Sequence, residues 1–328
     1  MRLLRSACVL VVGLGLLAGC GSSAGEPLPE RLPAGSTVSL RDVAWASGRT
    51  VHVGDRTVRA PAGVEQVAVT TGGLYLRAGP RLLVVTGDRV RDTGQRLRGG
   101  FVVDPAGRHL AYLDASHGPR DDFGTRRLTA VLWDLRTHTR VADSSTDLGD
   151  PGSDDLTDLY EETEPRVLGF VDDSLVVGTT DGYRRIALSD GRERGLRVED
   201  GTSPLAATQG GFATSADRVG GRWRVDPFDG RLAVLSPTRR FLLVSEDGLR
   251  WIVTDRRGRP FTVPGLPRVV QPGPWLDDYT LTLIAFDAAQ DPTAILRCDL
   301  AARRCTDVAR GPVLGDAPVL GSQTAGQI

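Results

Sequence analysis

Phe101 to Val141 reads FVVDPAGRHLAYLDASHGPRDDFGTRRLTAVLWDLRTHTRV, and this stretch decides the fold. Phe101-Val102-Val103 is a short apolar run. Asp104-Pro105-Ala106-Gly107 follows as a turn, in which Pro presets φ near −65° and Gly takes the left-handed position. His109 to Leu113 is a second apolar run. Ser116 to Arg127 is a polar connection holding Gly and Pro. Leu128 to Leu135 is a third run, Arg136-Thr137-His138 a turn, and a fourth strand starts at Thr139. Four short strands in about 40 residues match one blade of a β-propeller.

Weaker copies of this unit flank it. Val38–Ala60 holds AWAS, TVHVG and TVRAP, a small or partial unit. Val64–Gly94 holds VEQVAVT, LYLRAG, RLLVVTG and DRVRDTG. Arg166–Val198 is a fourth unit, with Asp172-Asp173 in the place of the Pro-Ala-Gly turn. Pro204–Asp229 is a fifth and less regular one. Leu232–Val263 is a sixth, with Ser236-Pro237 where the reference unit has Asp104-Pro105. Arg268–Ala309 is a seventh. Dividing Val38–Arg310 by seven gives about 39 residues per unit, and by six about 45, both near the usual range. The expectation is an all-β chain with a single β-propeller, seven-bladed, with six and eight blades as alternatives. A blade cannot bury both faces alone, so the ring must close. One terminus should then lend a strand to a blade built mostly from the other. Val313-Leu314 and Val319-Leu320 are the last candidates for it.

Asp104–Tyr112 (DPAGRHLAY) and, more distantly, Ser236–Val244 (SPTRRFLLV) are similar to the blade signature of the Tol-system periplasmic propellers and related WD-repeat-like proteins. The third Asp of that signature is absent from both. The resemblance implies a propeller and a protein-binding role, without naming a partner.

The N-terminus carries an address. Met1–Arg5 is a short basic start, and Ser6–Leu17 is an apolar run of signal-peptide length, short for a bilayer span. It ends in Leu17-Ala18-Gly19-Cys20, which resembles the lipobox of bacterial lipoproteins. That resemblance implies cleavage before Cys20, diacylglycerol on its thiol, and anchoring to the membrane on its extracytoplasmic face; two acyl chains suffice for stable anchoring. The expected layout is a signal peptide at 1–19, a lipidated flexible tether at 20–37, a propeller at 38–310 and a tail at 311–328 that closes the ring. Gly21-Ser22-Ser23-Ala24-Gly25 matches a nucleophile-elbow pattern. It lacks the strand before and the helix after that the elbow needs, so it carries no catalytic weight.

Composition narrows the function classes. All 40 basic residues are Arg, there is no Asn, and the net charge is −1. Exclusive use of Arg points to the coding bias of a high-GC bacterium, an actinobacterium. Near-zero charge gives no case for nucleic acid. Beyond the signal peptide and Cys20, Cys298 and Cys305 remain. With Leu300–Arg303 as a hairpin loop they face each other on paired strands, as a disulfide requires. A redox or metal pair is the alternative, but the spacing is not C-x-x-C and no His lies near.

His52, His109, His117 and His138 form no metal-ligand motif. Trp45, Trp133, Trp223, Trp251 and Trp275 are spread over five units, as blade packing requires; the sharper alternative is a sugar-stacking platform of Trp223, Trp251 and Trp275. The strongest polar feature is an acidic insertion at about 143–165, which includes Asp154, Asp155, Asp158, Glu161 and Glu162 without a basic residue among them. A helix over Asp154–Glu162 started by Pro151 would put Asp154, Asp158 and Glu162 on one face. The insertion reads as a solvated loop, a patch for a cationic partner, or a Ca²⁺ site lacking the usual ligand order. The function expected is a non-enzymatic, membrane-anchored scaffold for an envelope protein or cell-wall component, without a cofactor. The alternative is a channel-centred metal-dependent hydrolase or lyase.

Overall fold

The computed structural model describes residues 27–197, 212–213, 217–219, 222–224, 232–236, 240–245, 251–255, 259–267, 269–315 and 318–321. Nearly all of its regular structure is antiparallel sheet, one strand following the next up and down. The short apolar runs between turn residues explain this, because each run is long enough for a strand and too short for a stable helix.

The first sheet contains Ala44–Ser47, Thr50–Val53 and Arg56–Arg59, completed by Val319–Leu320 from the other end of the chain. Trp45 pairs with Leu320 and Ala46 with Val319. Of the two ring-closing candidates, Val319-Leu320 is therefore the strand. Val313-Leu314 instead falls in a short 3-10 helix, Gly311–Leu314, begun by a Pro in its first turn. The partial look of Val38–Ala60 follows, since its innermost strand is some 260 residues away in sequence.

The next seven strands form one sheet. Two units were expected there. Arg89–Val103 is a single 15-residue strand that serves both. Its first part pairs with Arg81–Thr86 and its last with His109–Asp114. Gly94 and Gly99, at positive φ, let it bend between the two. Arg166–Leu196 forms a four-stranded sheet, and Val270–Arg310 another. Leu232–Leu235, Phe241–Ser245 and Trp251–Asp255 form a third with Phe212–Ala213. Most of the expected fifth unit, Pro204–Asp229, lies outside the described residues. Of its strands, Phe212–Ala213 joins the following sheet, and Asp217–Val219 pairs with Arg222–Arg224 as a hairpin. This succession of four-stranded meanders, tied end to end by a terminal strand, is consistent with a β-propeller.

The turns repeat as well. The Asp104 carboxylate accepts from the amides of Arg108 (2.5 Å) and His109 (2.8 Å). Ser236 Oγ does the same for Arg240 (3.0 Å) and Phe241 (3.1 Å). A side-chain oxygen that satisfies two amides fixes the turn in both units. Asp277 plays this part in the last sheet, toward Tyr279 and Thr280.

Within the expected tether at 20–37, Leu28–Ser36 is fastened to the sheets. Leu32 is buried in the cluster formed by Tyr75, Leu82, Tyr112 and Trp133. Its amide donates to the carbonyl of His138, and the amides of Gly35 and Ser36 donate to the carbonyls of Gly72 and Val85. Leu28–Ser36 is thus a strap fastened across two units, because a run of L-P-x-R-L-P places two apolar side chains inward and leaves amides free to pair. Among the described residues no helix is long and apolar enough to cross a membrane.

Cys298 and Cys305 pair in register, Cα atoms 4.0 Å apart, and form a disulfide around the hairpin loop Leu300–Arg303. Because the loop is short and the flanking strands hold their own ladder, reduction should lower stability by only about 2–3 kcal/mol without unfolding the chain. Denaturant midpoints of the Cys298→Ser/Cys305→Ser variant and the parent measure this; loss of cooperative unfolding in the variant would contradict it.

Candidate functional site

The strands Gln66–Thr70, Arg89–Val103, Arg166–Val171, Val270–Trp275 and Val319–Leu320 all line one cavity of about 570 Å³. Gln66, Arg98 to Val102, Arg166 and Val167, Gln271 to Pro274, and Val319 and Leu320 line it, together with Glu65, Arg77 and Glu164. Pro165, Pro272, Pro274 and Pro318 stand among them. Proline cannot donate to a ladder, so it suits a strand edge that faces open space. Three lining strands carry bulges here, between Arg98 and Phe101, Val167 and Gly169, and Pro272 and Trp275. A bulge re-aims side chains at the rim of a closed sheet system. Gly273 leaves room for its neighbours: a Cβ there would crowd Leu320 Cδ1 and lie 2.6 Å from Thr282 Oγ1, so a larger residue would force the Leu320 side chain to move.

The polar lining is partly committed. Arg77 pairs with Glu65 at 2.7 Å and donates to the carbonyl of Gly99 at 3.1 Å. Gln66 donates to the carbonyl of Phe101 at 2.6 Å and accepts from its amide at 3.0 Å, so one amide side chain locks two neighbouring inner strands. Arg98 donates to the carbonyl of Tyr160 at 3.0 Å and lies 5.2 Å from the centre of its ring. Among the described residues no ion pair of Arg98 with a carboxylate is found. Arg166 is exposed on the rim, as is Glu164.

The acidic insertion ends at this rim. It holds a helix at Leu156–Thr163, not Asp154–Glu162. Pro151 lies in the turn before it, and the N-cap is Asp155, whose carboxylate accepts from the amides of Thr157 and Asp158. The capping oxygen has a stronger claim on the helix start than a proline several residues earlier. Leu156 and Tyr160, one turn apart, bury the inner face, and the Tyr160 hydroxyl donates to the carbonyl of Leu148 and accepts from the amide of Leu128. Glu164 in the left-handed conformation, then Pro165, ends the helix. Burial pushes the Tyr160 phenol above its ordinary value.

Asp154, Asp158 and Glu162 therefore do not share a helix face. Asp154 lies before the helix and accepts from the amide of Asp150 at 2.6 Å. Asp158, Glu161 and Glu162 are exposed on it. Among the described residues no group of three or more His, Cys, Asp or Glu side chains is placed to hold a metal ion. Asp147, counted with the acidic run, forms an ion pair with Arg184 at 2.6 Å.

Asp121 is the residue that sequence reasoning missed. It is buried at the base of the polar connection Ser116–Arg127. One oxygen accepts from the amides of Phe123 and Thr125, the other from the amide of Leu156, 35 residues on. It ties the loop to the first turn of the acidic helix and holds Phe123 out in solvent, 73 % exposed. The only signal in the sequence is D-D-F-G-T, an Asx-turn pattern; the partner at Leu156 has none.

The histidines stay apart. His109 approaches Asp104 and His117 approaches Asp114, each at 3.1 Å, while His52 stacks on Trp45 at 3.9 Å. Burial holds His52 and His138 below the usual imidazole value. Trp45, Trp133, Trp251 and Trp275 are buried, which makes them packing residues and removes Trp251 and Trp275 from a sugar platform. Trp223's side chain, the Gly21–Gly25 motif and Cys20 lie outside what the structure describes.

No protein-family model matches the chain, and no curated protein matches it. Solved structures show distant likeness. The dihydro-heme d1 dehydrogenase NirN in complex with DHE aligns over 90 % of this chain and 78 % of its own, at 12 % identity and TM-score 0.42. Apo AztD from Citrobacter koseri aligns over 92 % and 90 %, at 13 % identity and TM-score 0.36. BamB from Moraxella catarrhalis aligns over 73 % and 62 %, at 15 % identity and TM-score 0.27. Likeness at this level carries no argument about function, and the architecture rests on the sheet order, the closing strand and the shared cavity.

Asp121 also sets a pH dependence. Burial opposes its charge, but the amides of Leu156, Thr125, Phe123 and Gly124 outweigh burial and hold the carboxyl below the ordinary aspartate value. A lowered folded value means its contribution is complete above the unfolded value and fades as pH falls below about 4 toward the folded one. Asp121→Asn should lower the melting temperature at pH 7 and narrow the gap to the parent as pH drops through this window. A gap that stays constant from pH 7 to pH 3 would contradict the assignment.

Proposed function

We propose that this chain is a lipid-anchored extracytoplasmic β-propeller that binds an envelope protein or cell-wall component and performs no chemistry of its own. The observation that carries the reading is the character of the cavity. Its lining mixes polar and apolar side chains and is Pro-rich and Arg-bearing, with Arg77 paired to Glu65 and with Arg98 and Arg166 at the rim. Such a lining supports recognition: the charged side chains that the described residues bring to it are Arg77, Arg98 and Arg166 with Glu65 and Glu164, and none of them is a Ser or Cys nucleophile beside a base. The seven-bladed count belongs to this reading, with the Asp217–Arg224 hairpin as part of a further unit. Cys20 is the lipid site, and the acidic helix at the cavity rim meets a cationic patch on the partner.

The anchor and the binding site are tested together in an actinobacterial host. The parent should incorporate a palmitate label and sediment with membranes, and Cys20→Ala should lose the label. With a photo-crosslinker near the rim, Arg166→Glu should cut the amount of specific adduct at least several-fold while the melting temperature stays unchanged. An unlabelled parent would refute the anchor. An adduct indifferent to Arg166→Glu would refute the cavity rim as the binding surface.

A further inference from the structure

Up-and-down sheets have two faces, because each strand carries the chain from one face to the other. The strap reaches one of them. Arg140 Nη1 donates to the carbonyls of Leu28 and Pro29. The amide of Leu32 donates to His138, the hydroxyl of Tyr75 donates to the carbonyl of Pro33, and the amide of Gly35 donates to Gly72. The Ser36 hydroxyl accepts from the amide of Gly87. Gly72, Gly87 and His138 all stand in hairpin turns that join first to second or third to fourth strands.

The charged lining of the cavity lies toward the opposite face. Gln66, Arg98 and Arg166 stand where the inner strands begin, at the ends remote from those turns. The acidic helix and the Phe123 loop lie in connections on that side too, since they leave from the far ends of the strands His109–Asp114 and Thr139–Ser144.

Between Cys20 and Leu28 there are eight residue steps, which span at most about 29 Å fully extended. A six-residue strand is about 20 Å long. A chain that wrapped round a sheet to the cavity face would use most of this reach and leave little to cross to a bilayer past the projecting insertion. We infer that the strap orients the molecule: it lays the face bearing Gly72, Gly87 and His138 toward the lipid surface and turns the cavity mouth, the acidic helix and Phe123 away from it. The inference rests on Cys20 being the anchor point. It makes the strap a device for presenting the binding rim to partners beyond the membrane, and it commits the opposite face to the lipid surface.

The test uses protein from Cys20 onward coupled through its Cys20 thiol to maleimide lipid in phosphatidylethanolamine–phosphatidylglycerol vesicles, so that orientation is read whether or not the cell lipidates Cys20. Asp88 on the strap face or Asp158 on the cavity face is replaced by azidophenylalanine and click-labelled with a donor; the vesicles carry a headgroup acceptor. Transfer from position 88 should exceed transfer from position 158 at least threefold. Leu32→Ala with Arg140→Ala, which loosens the strap while the sheets keep their ladders, should bring the two close together. Equal transfer in the parent, or greater transfer from position 158, would overturn the inference. Mass analysis of the Cys20 peptide from cell membranes tests the anchor separately: an unmodified thiol there would remove the anchor and leave the vesicle result as a property of the strap alone.

Discussion

Val319, Leu320 and Gly321 tie the last described strand to the first. Val319–Leu320 supplies the innermost strand of the first sheet, and the amide of Gly321 donates to the carbonyl of Ala44. A meander of four-stranded sheets has exposed edges at its beginning and end, and each sheet needs a neighbour to cover its faces. Pairing the termini removes both problems at once. The cavity depends on this closure, because Val319 and Leu320 form part of its wall. Gly273 shows how close the fit is: a Cβ there would meet the end of the Leu320 side chain and the Thr282 hydroxyl.

Much of the fold was legible because it is written locally. Turn residues at short intervals, apolar runs of strand length and the repeated Asp104 and Ser236 turns mark the meander without reference to distant contacts. The Cys298–Cys305 pair was legible for the same reason, both thiols lying on one hairpin. What escaped was non-local. The 15-residue strand Arg89–Val103 spans a boundary that pattern alone would cut. The strap at Leu28–Ser36 looks like linker because it is rich in Pro and small residues, yet Leu32 finds a pocket between two units that only the folded chain creates. Helix length in the acidic insertion was misjudged because the deciding interaction, Asp155 capping its own first turn, competes locally with a more conspicuous proline.

The candidate site was harder still. Its polar residues, Glu65, Gln66, Arg77, Arg98, Glu164, Arg166 and Gln271, are scattered over about 200 positions and carry no motif. They meet only because each stands near the start of an inner strand or the end of its neighbour. Asp121 is the clearest case of information that sequence withholds, for it spends one carboxylate on its own loop and on a helix 35 residues away. Charge counted along the chain overstated the acidity of the insertion, since Arg184 offsets Asp147 within the fold. The exposed acids on the helix and the rim arginines remain as the charged features a partner would meet.

Ring closure by the C-terminal strand is the claim on which the rest depends, and a cross-link reads it directly. Ala46 and Val319 are register partners, so the pair Ala46→Cys and Val319→Cys should oxidise to a bridge in the otherwise native soluble protein. Peptide mass analysis under non-reducing conditions should find residues 46 and 319 joined, with the Cys298–Cys305 bridge intact and the melting temperature raised. A folded protein in which both new thiols stay free would show that the ends do not meet there, and the closed architecture described above would be wrong.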